Sequence, residues 1–317
     1  MPSHAAIVDL GTNTFHILIM EWEGRQFTIL EKLQIPVKLG KGAFGSHLIK
    51  DDAFARGIEA IKEYKKLVDK YDVSEVAIYG TSVLRNAANG PLFVAEAQSI
   101  IGYPINIIDG EEEAELIYVG VRNAVPLGDE PHLIMDIGGG SVEFIIGNEK
   151  RFFWLKSYEI GAGRLIERFS KKDPMDKESI SELESYLESE LGELWSQAAN
   201  YKVNTLVGAS GSFESVASME RKIFKLNKKP AETSYHVVNM ANFNELYQKI
   251  ITSTQSELRN VPGLPEFRVE MISVALVMIN YVMRRLQLTR IITSDYALKE
   301  GAMYKLMLEH SISASKS

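Results

Sequence analysis

The chain passes twice through the same acidic-glycine turn, each time between two apolar runs: Asp9-Leu10-Gly11-Thr12-Asn13-Thr14 and Asp136-Ile137-Gly138-Gly139-Gly140-Ser141. The runs Ala5–Val8 and Phe15–Met20 flank the first turn, and Leu133–Met135 and Val142–Ile146 flank the second. Each glycine therefore falls at a hairpin bend, where unpaired backbone N–H groups can converge on an anion. A single Asp-x-Gly is an ordinary turn. Two copies in matching contexts predict a chain that folds the same way twice around a phosphate and a metal. Gly138 to Gly140 do not form a dinucleotide fingerprint, because that motif opens a helix, whereas Val142-Glu143-Phe144-Ile145-Ile146 reads as a strand.

The surrounding periodicity supports the duplication. Strands are expected near 5–10, 15–21 and 26–37, then a helix at 51–70, a strand at 75–79, a helix at 89–101, a strand at 105–108 and a helix from Glu111. From Leu133 the series recurs: two strands about the turn, a third at 151–158, helices through 162–200, a strand at 205–207, more helices, a strand at 290–293 and a helix from Tyr296. Mixed sheets flanked by helices are α/β architecture, and two equivalent halves imply two domains facing a cleft, where ligands usually bind. The segment 123–131, with its prolines, glycine and charges, reads as the linker. Residues 39–45 read as a flexible connection, and 311–317 as a frayed tail.

With 317 residues, 45% of them hydrophobic, two cores of ordinary size are affordable. The absence of cysteine excludes disulfides and thiolate metal sites. No N-terminal stretch is apolar enough for a signal peptide or membrane span, which points to a soluble cytoplasmic protein. A net charge of −7 argues against a nucleic-acid partner, although a polyanion needs only a local positive groove. Arg221, Lys222, Lys225, Lys228 and Lys229 form one such cluster, although charge runs of this kind are usually a solvated helix end and loop.

Several groups could carry chemistry. In Asp109-Gly110-Glu111-Glu112-Glu113-Ala114-Glu115, most of the acids favour the positive end of a helix. Glu113 differs, because it shares the inward stripe of Leu116, Ile117 and Gly120. A carboxylate held in such a place tends to have its pKa raised toward that of a working base, so Glu113 is the candidate to activate water. Asp136 at a strand end suits a hard cation, with Asp9 its counterpart in the first turn; Glu143 either adds a second carboxylate or faces solvent. Magnesium fits this oxygen set. Gly138, Gly139, Gly140 and Ser141, with Gly11, Thr12, Asn13 and Thr14, can offer backbone N–H groups to phosphate. A third turn, Gly208-Ala209-Ser210-Gly211-Ser212, precedes a helix and makes another anion seat through Gly208, Ser210, Gly211 and Ser212. Arg85 either clamps a phosphate or is an ordinary surface arginine. The six histidines show no ligand spacing, and His16 reads as packing.

Taken together, Val8–His16, Gly80-Thr81 with Leu84-Arg85, Gly110–Ile117, Asp136–Glu143, Gly208–Gly211 and Ser294–Gly301 resemble the exopolyphosphatase and guanosine pentaphosphate phosphohydrolase family. That family is a branch of the superfamily of actin, sugar kinases and chaperone ATPases. The resemblance implies two ribonuclease-H-like domains, the last helix crossing back, so that 1–124 plus 300–317 form one domain and 125–299 the other. It also implies Glu113 as the water-activating glutamate, Asp136 and Glu143 as magnesium ligands, and the glycine turns as phosphate loops. Val142 stands where the family usually has threonine, and Tyr296 where it usually has glycine. The long members carry a C-terminal helical extension with no counterpart in these 317 residues, which leaves the chain-length preference open.

The expected activity is removal of terminal phosphate from inorganic polyphosphate with magnesium, guanosine pentaphosphate being a second candidate substrate and a homodimer a family-level expectation. The alternatives are an acceptor-dependent kinase of the same superfamily and a non-catalytic nucleotide binder like actin.

Overall fold

The computed structural model describes residues 3–23, 26–227, 230 and 233–314. The chain divides into two units, residues 1–120 with 298–317, and residues 121–297.

The first unit contains strands β1 (Ser3–Leu10), β2 (Thr14–Glu23), β3 (Gln26–Pro36), β4 (Glu75–Gly80) and β5 (Ile105–Ile107). Its helices are α1 (Asp51–Lys70), α2 (Ser82–Asn86), α3 (Gly90–Ile101), α4 (Gly110–Ala124, running past the unit boundary) and α12 (Leu298–Ala314). The sheet order is β3-β2-β1-β4-β5, with the first three strands antiparallel and β1, β4 and β5 parallel. Strand β1 is central and covered on both faces, which explains its unbroken buried run from Ala5 to Val8. Ala6, Val8 and Leu10 join Phe15, Ile17 and Ile19 in the core beneath α1 and α3. The alternate residues Ala5, Ile7, Leu18 and Met20 are equally buried, on the opposite face. There α12 packs on β1 and β2.

The approach of α12 to α4 depends on Gly301. A Cβ at that position would fall 1.8 Å from the Leu116 carbonyl oxygen and 3.0 Å from the Gly120 nitrogen. Backbone atoms cannot swing aside as a flexible side chain can. Gly301→Ala is therefore expected to cost about 1–3 kcal/mol, the usual scale of overpacking. Urea unfolding checks this, and an unchanged midpoint would mean that the two helices have room to separate.

The second unit repeats the plan with β6 (His132–Ile137), β7 (Val142–Gly147), β8 (Phe152–Tyr158), β9 (Thr205–Ala209), β10 (Tyr235–Val238) and β11 (Arg290–Ser294). Its sheet order is β10-β11-β9-β6-β7-β8. The strand set β3-β2-β1-β4-β5 maps onto β8-β7-β6-β9-β11 with the same directions, so the two units share one topology plus an edge strand, β10. Helices α5 (Ala162–Phe169), α6 (Lys177–Glu190), α7 (Gly192–Tyr201), α8 (Ser210–Ile223), α9 (Met240–Thr252), α10 (Gln255–Leu258) and α11 (Val269–Arg285) complete the unit. Caps set several of their starts: the Asp176 side chain accepts from the Ser179 N–H, Asn239 accepts from Ala241 and Asn242, and Thr254 with Glu257 closes a capping box. Helix α11 is buried along most of its length and forms the centre of this unit's core.

Some expectations shift. Arg85 does not simply follow a strand but sits on the short helix α2, and β10 was not expected. The last helix begins at Leu298, not Tyr296, because the Ser294 hydroxyl donates to the Tyr296 carbonyl oxygen and accepts from the Tyr296 N–H, holding a turn there. Helix α4 runs to Ala124 and so takes in the first residues of the expected linker, and α12 runs to Ala314, into the segment expected to be frayed. Arg221 and Lys222 close α8; Lys228 and Lys229 lie outside the described residues. No helix among the described residues is long and apolar enough to cross a membrane.

Candidate active site

Within the first unit, the singled-out residues gather at the C-terminal ends of the parallel strands, where open α/β sheets bind ligands. Asp9 lies one residue before the end of β1, paired in register with His16 on β2 and Tyr79 on β4. The turn at 11–13 is anchored through its carbonyls: Asn13 O accepts from the Val37 and Lys38 N–H groups (3.1 and 2.8 Å), and Thr12 O from Gly40 (2.9 Å). Its glycine is forced by space, since a Cβ on Gly11 would lie 2.8 Å from the Thr14 carbonyl oxygen. Thr12, named for its backbone, proves to hold the turn as well. Its buried hydroxyl accepts from the Val83 N–H at 3.2 Å and so ties the turn to α2. Asn13 and the buried Thr14 complete the turn.

Helix α2 carries Arg85 and α4 carries Glu113. Asp109 caps α4, its Oδ1 accepting from the N–H groups of Glu111 and Glu112 at 3.0 and 2.9 Å. This fixes the rotation of the first turn. Glu111 and Glu115 then face solvent, while Glu113 is 8% exposed. Arg85 donates to the Ile108 carbonyl oxygen at 2.7 Å and stands 3.6 Å from the Glu113 carboxylate. A guanidinium at that distance favours the ionised carboxylate, the form that accepts a proton, against the opposing influence of burial.

In the second unit, Asp136 near the end of β6 is directly opposite Glu143 on β7. Both are buried, 5% and 1% exposed, so Glu143 does not face solvent. Directly opposed side chains share one face of the sheet, with Cβ atoms about 4.5–5.5 Å apart, and like charges there repel. Each carboxylate is oriented by a serine: the Ser210 hydroxyl donates to Asp136 at 2.6 Å and Ser157 to Glu143 at 2.7 Å. Two buried carboxylates side by side offer oxygen donors of the kind a hard divalent cation takes. Among the described residues no group of three or more His, Cys, Asp or Glu side chains is placed to hold a metal. Water or substrate oxygens would therefore complete the shell, as suits magnesium.

Above this pair, the turn Gly138–Ser141 closes with the Gly138 N–H donating to the Ser141 carbonyl oxygen at 3.0 Å. Among the described residues, the N–H groups of Gly139, Gly140 and Ser141 donate to no backbone acceptor. Ser141 is buried, and Val142, where a hydroxyl would be usual, packs fully buried between Ile137 and Tyr158 of the adjoining strands.

The third turn divides its duties. Gly208 is a buried residue inside β9, and a Cβ there would fall 1.9 Å from the Phe213 ring. The missing Cβ thus makes room for that ring. Ser210 takes positive φ (64°), an uncommon conformation for a non-glycine residue, and aims its hydroxyl at Asp136. Ser212 is buried in the first turn of α8. Gly211 makes room for a residue that sequence reasoning missed: a Cβ there would lie 1.8 Å from a terminal nitrogen of Arg268. Arg268 is 8% exposed; burial pushes its pKa down, against the fields of Glu214 and Asp136. A buried guanidinium lying on the turn that orients Asp136 contributes positive charge to this face.

The sequence pattern of the Ppx/GppA phosphatase family matches residues 18–310. An exopolyphosphatase from Cytophaga hutchinsonii, solved by crystallography, superposes with a TM-score of 0.93 at 33% identity, covering 96% of this chain and 98% of that one. The Aquifex aeolicus member of the Ppx/GppA family superposes with a TM-score of 0.80 at 22% identity, covering 98% and 99%, and shares the fold.

Proposed function

Because the chain belongs to the Ppx/GppA phosphatase family, we propose that it is an exopolyphosphatase, removing the terminal phosphate of inorganic polyphosphate by attack of water. The observation that carries this reading is the turn Gly138–Ser141, with three amides turned away from backbone acceptors beside the buried pair Asp136 and Glu143.

Glu113 takes a proton from the attacking water while the new P–O bond forms. The bridging P–O bond breaks, and its electron pair leaves on the terminal oxygen of the shortened chain. Arg85 faces the Glu113 carboxylate and orients it. Asp136 and Glu143 would hold magnesium, which would supply neutralisation of phosphate charge. The loop amides of the glycine turns, with those of Ser210 and Ser212 in the third, are donors for non-bridging oxygens where negative charge is spread in the transition state. A phosphoanhydride is already a good leaving group, so positioning and charge neutralisation supply most of the acceleration.

The test is the release of orthophosphate from long polyphosphate, tripolyphosphate, guanosine pentaphosphate and ATP, with magnesium and no acceptor. Release from polyphosphate is expected. Strict dependence on ATP and an alcohol or carboxylate acceptor would replace the reading with a kinase. Tight nucleotide binding with negligible turnover would replace it with a nucleotide-binding module.

A further inference from the structure

We propose that Gly161 and Arg164, at the start of α5, are positioning residues that lock the second glycine turn with its amides facing outward and polarise them; this rests on the phosphate-binding role given above to Gly138–Ser141. A helix N-terminus commonly seats an anion directly. Here α5 points at the turn's own carbonyls instead. The Ala162 N–H donates to Gly138 O at 2.9 Å, Gly163 to Gly139 O at 2.9 Å and Gly161 to Gly140 O at 3.1 Å. Arg164 Nε adds a second donor on Gly140 O, at 2.8 Å, while its terminal nitrogen pairs with Glu159.

In a trans peptide the C=O and N–H point in opposite directions. Drawing three successive carbonyls toward α5 therefore turns the following N–H groups, those of Gly139, Gly140 and Ser141, the other way. Those are the amides that donate to no backbone acceptor among the described residues. Hydrogen bonds in series also reinforce one another, so the positive end of α5 and the Arg164 cation act through the peptide groups to strengthen the outward donors. Ser141 N–H receives the largest share, since Gly140 O carries both Gly161 N–H and the guanidinium.

The arrangement requires glycine at 161 for space, not for conformation. Its φ is −60°, open to any residue, but a Cβ would fall 2.4 Å from Gly140 C and 2.5 Å from both Gly139 C and Gly140 N. In the first turn, among the described residues, the carbonyls of Thr12 and Asn13 are held by the loop amides of Val37, Lys38 and Gly40 and not by a helix start.

The experiment compares the parent with Arg164→Gln, Arg164→Lys and Gly161→Ala, using inorganic phosphate as the probe. Calorimetric Kd for orthophosphate, kcat and KM on polyphosphate, and urea unfolding midpoints are read together. Arg164→Gln is expected to weaken orthophosphate binding about tenfold and to lower kcat at least as much, with the midpoint unchanged. Arg164→Lys, which keeps a cation and a donor, should recover part of both. Gly161→Ala should lose orthophosphate binding further. An unchanged Kd in Arg164→Gln, a loss that follows the midpoint without recovery by lysine, or no orthophosphate binding by the parent would each overturn the proposal. The phosphate titration needs no turnover, so it stands or falls separately from the hydrolysis of polyphosphate.

Discussion

Replacing Glu113 by glutamine is expected to lower kcat on polyphosphate by about 10²–10⁴-fold, the range typical of a lost general base, while KM and the unfolding midpoint stay close to the parent values. Glutamine keeps the shape and can still fill the partly buried position on α4. Asp109 continues to cap the helix, so the side chain at 113 keeps its direction. What disappears is the anion that Arg85 faces at 3.6 Å, and with it the ability to take a proton from water. Stopped-assay phosphate release and a urea titration on the same preparation separate the chemical loss from a folding loss. A rate within a few-fold of the parent would remove Glu113 from the reaction.

Asp136→Asn is expected to raise the magnesium concentration for half-maximal rate by at least about 10–100-fold, since even partners one shell out from a metal commonly cost that much. The neighbouring Glu143→Gln should act in the same direction. Two buried carboxylates directly opposed across β6 and β7 repel each other, and a cation held by both would relieve that repulsion. Neutralising one removes both a ligand and part of that repulsion, so the variants should unfold no earlier than the parent in the absence of magnesium. Magnesium dependence identical to that of the parent would place the cation elsewhere.

The turns were legible because their physics is local. An acidic residue closing an apolar run, followed by glycine and a second run, can only be a bend between strands, and both copies fold that way. The burial of Glu113 was legible for a similar reason, since a helix stripe with Leu116 and Ile117 decides which glutamate of four turns inward. What escaped the sequence depends on distant packing. Arg268 lies outside every motif of the sequence and is buried where Gly211 leaves room for its guanidinium. Arg164 sits on a short amphipathic helix and resembles a solvated arginine until the Gly140 carbonyl is found beneath it. The close fit of the Phe213 ring against Gly208 is likewise a matter of packing that the turn's sequence does not carry. Helix α2, five residues long, and β10, four residues at a sheet edge, are too short for periodicity to register.

The central claim, that water attacks the end phosphate of a polyphosphate chain, is tested most directly by turnover in ¹⁸O-labelled water with magnesium and no acceptor. Each orthophosphate released from the chain end is expected to carry one solvent oxygen, and Glu113→Gln to slow formation of this labelled product by about 10²–10⁴-fold. Orthophosphate without solvent label, or no release until an acceptor is supplied, would contradict it.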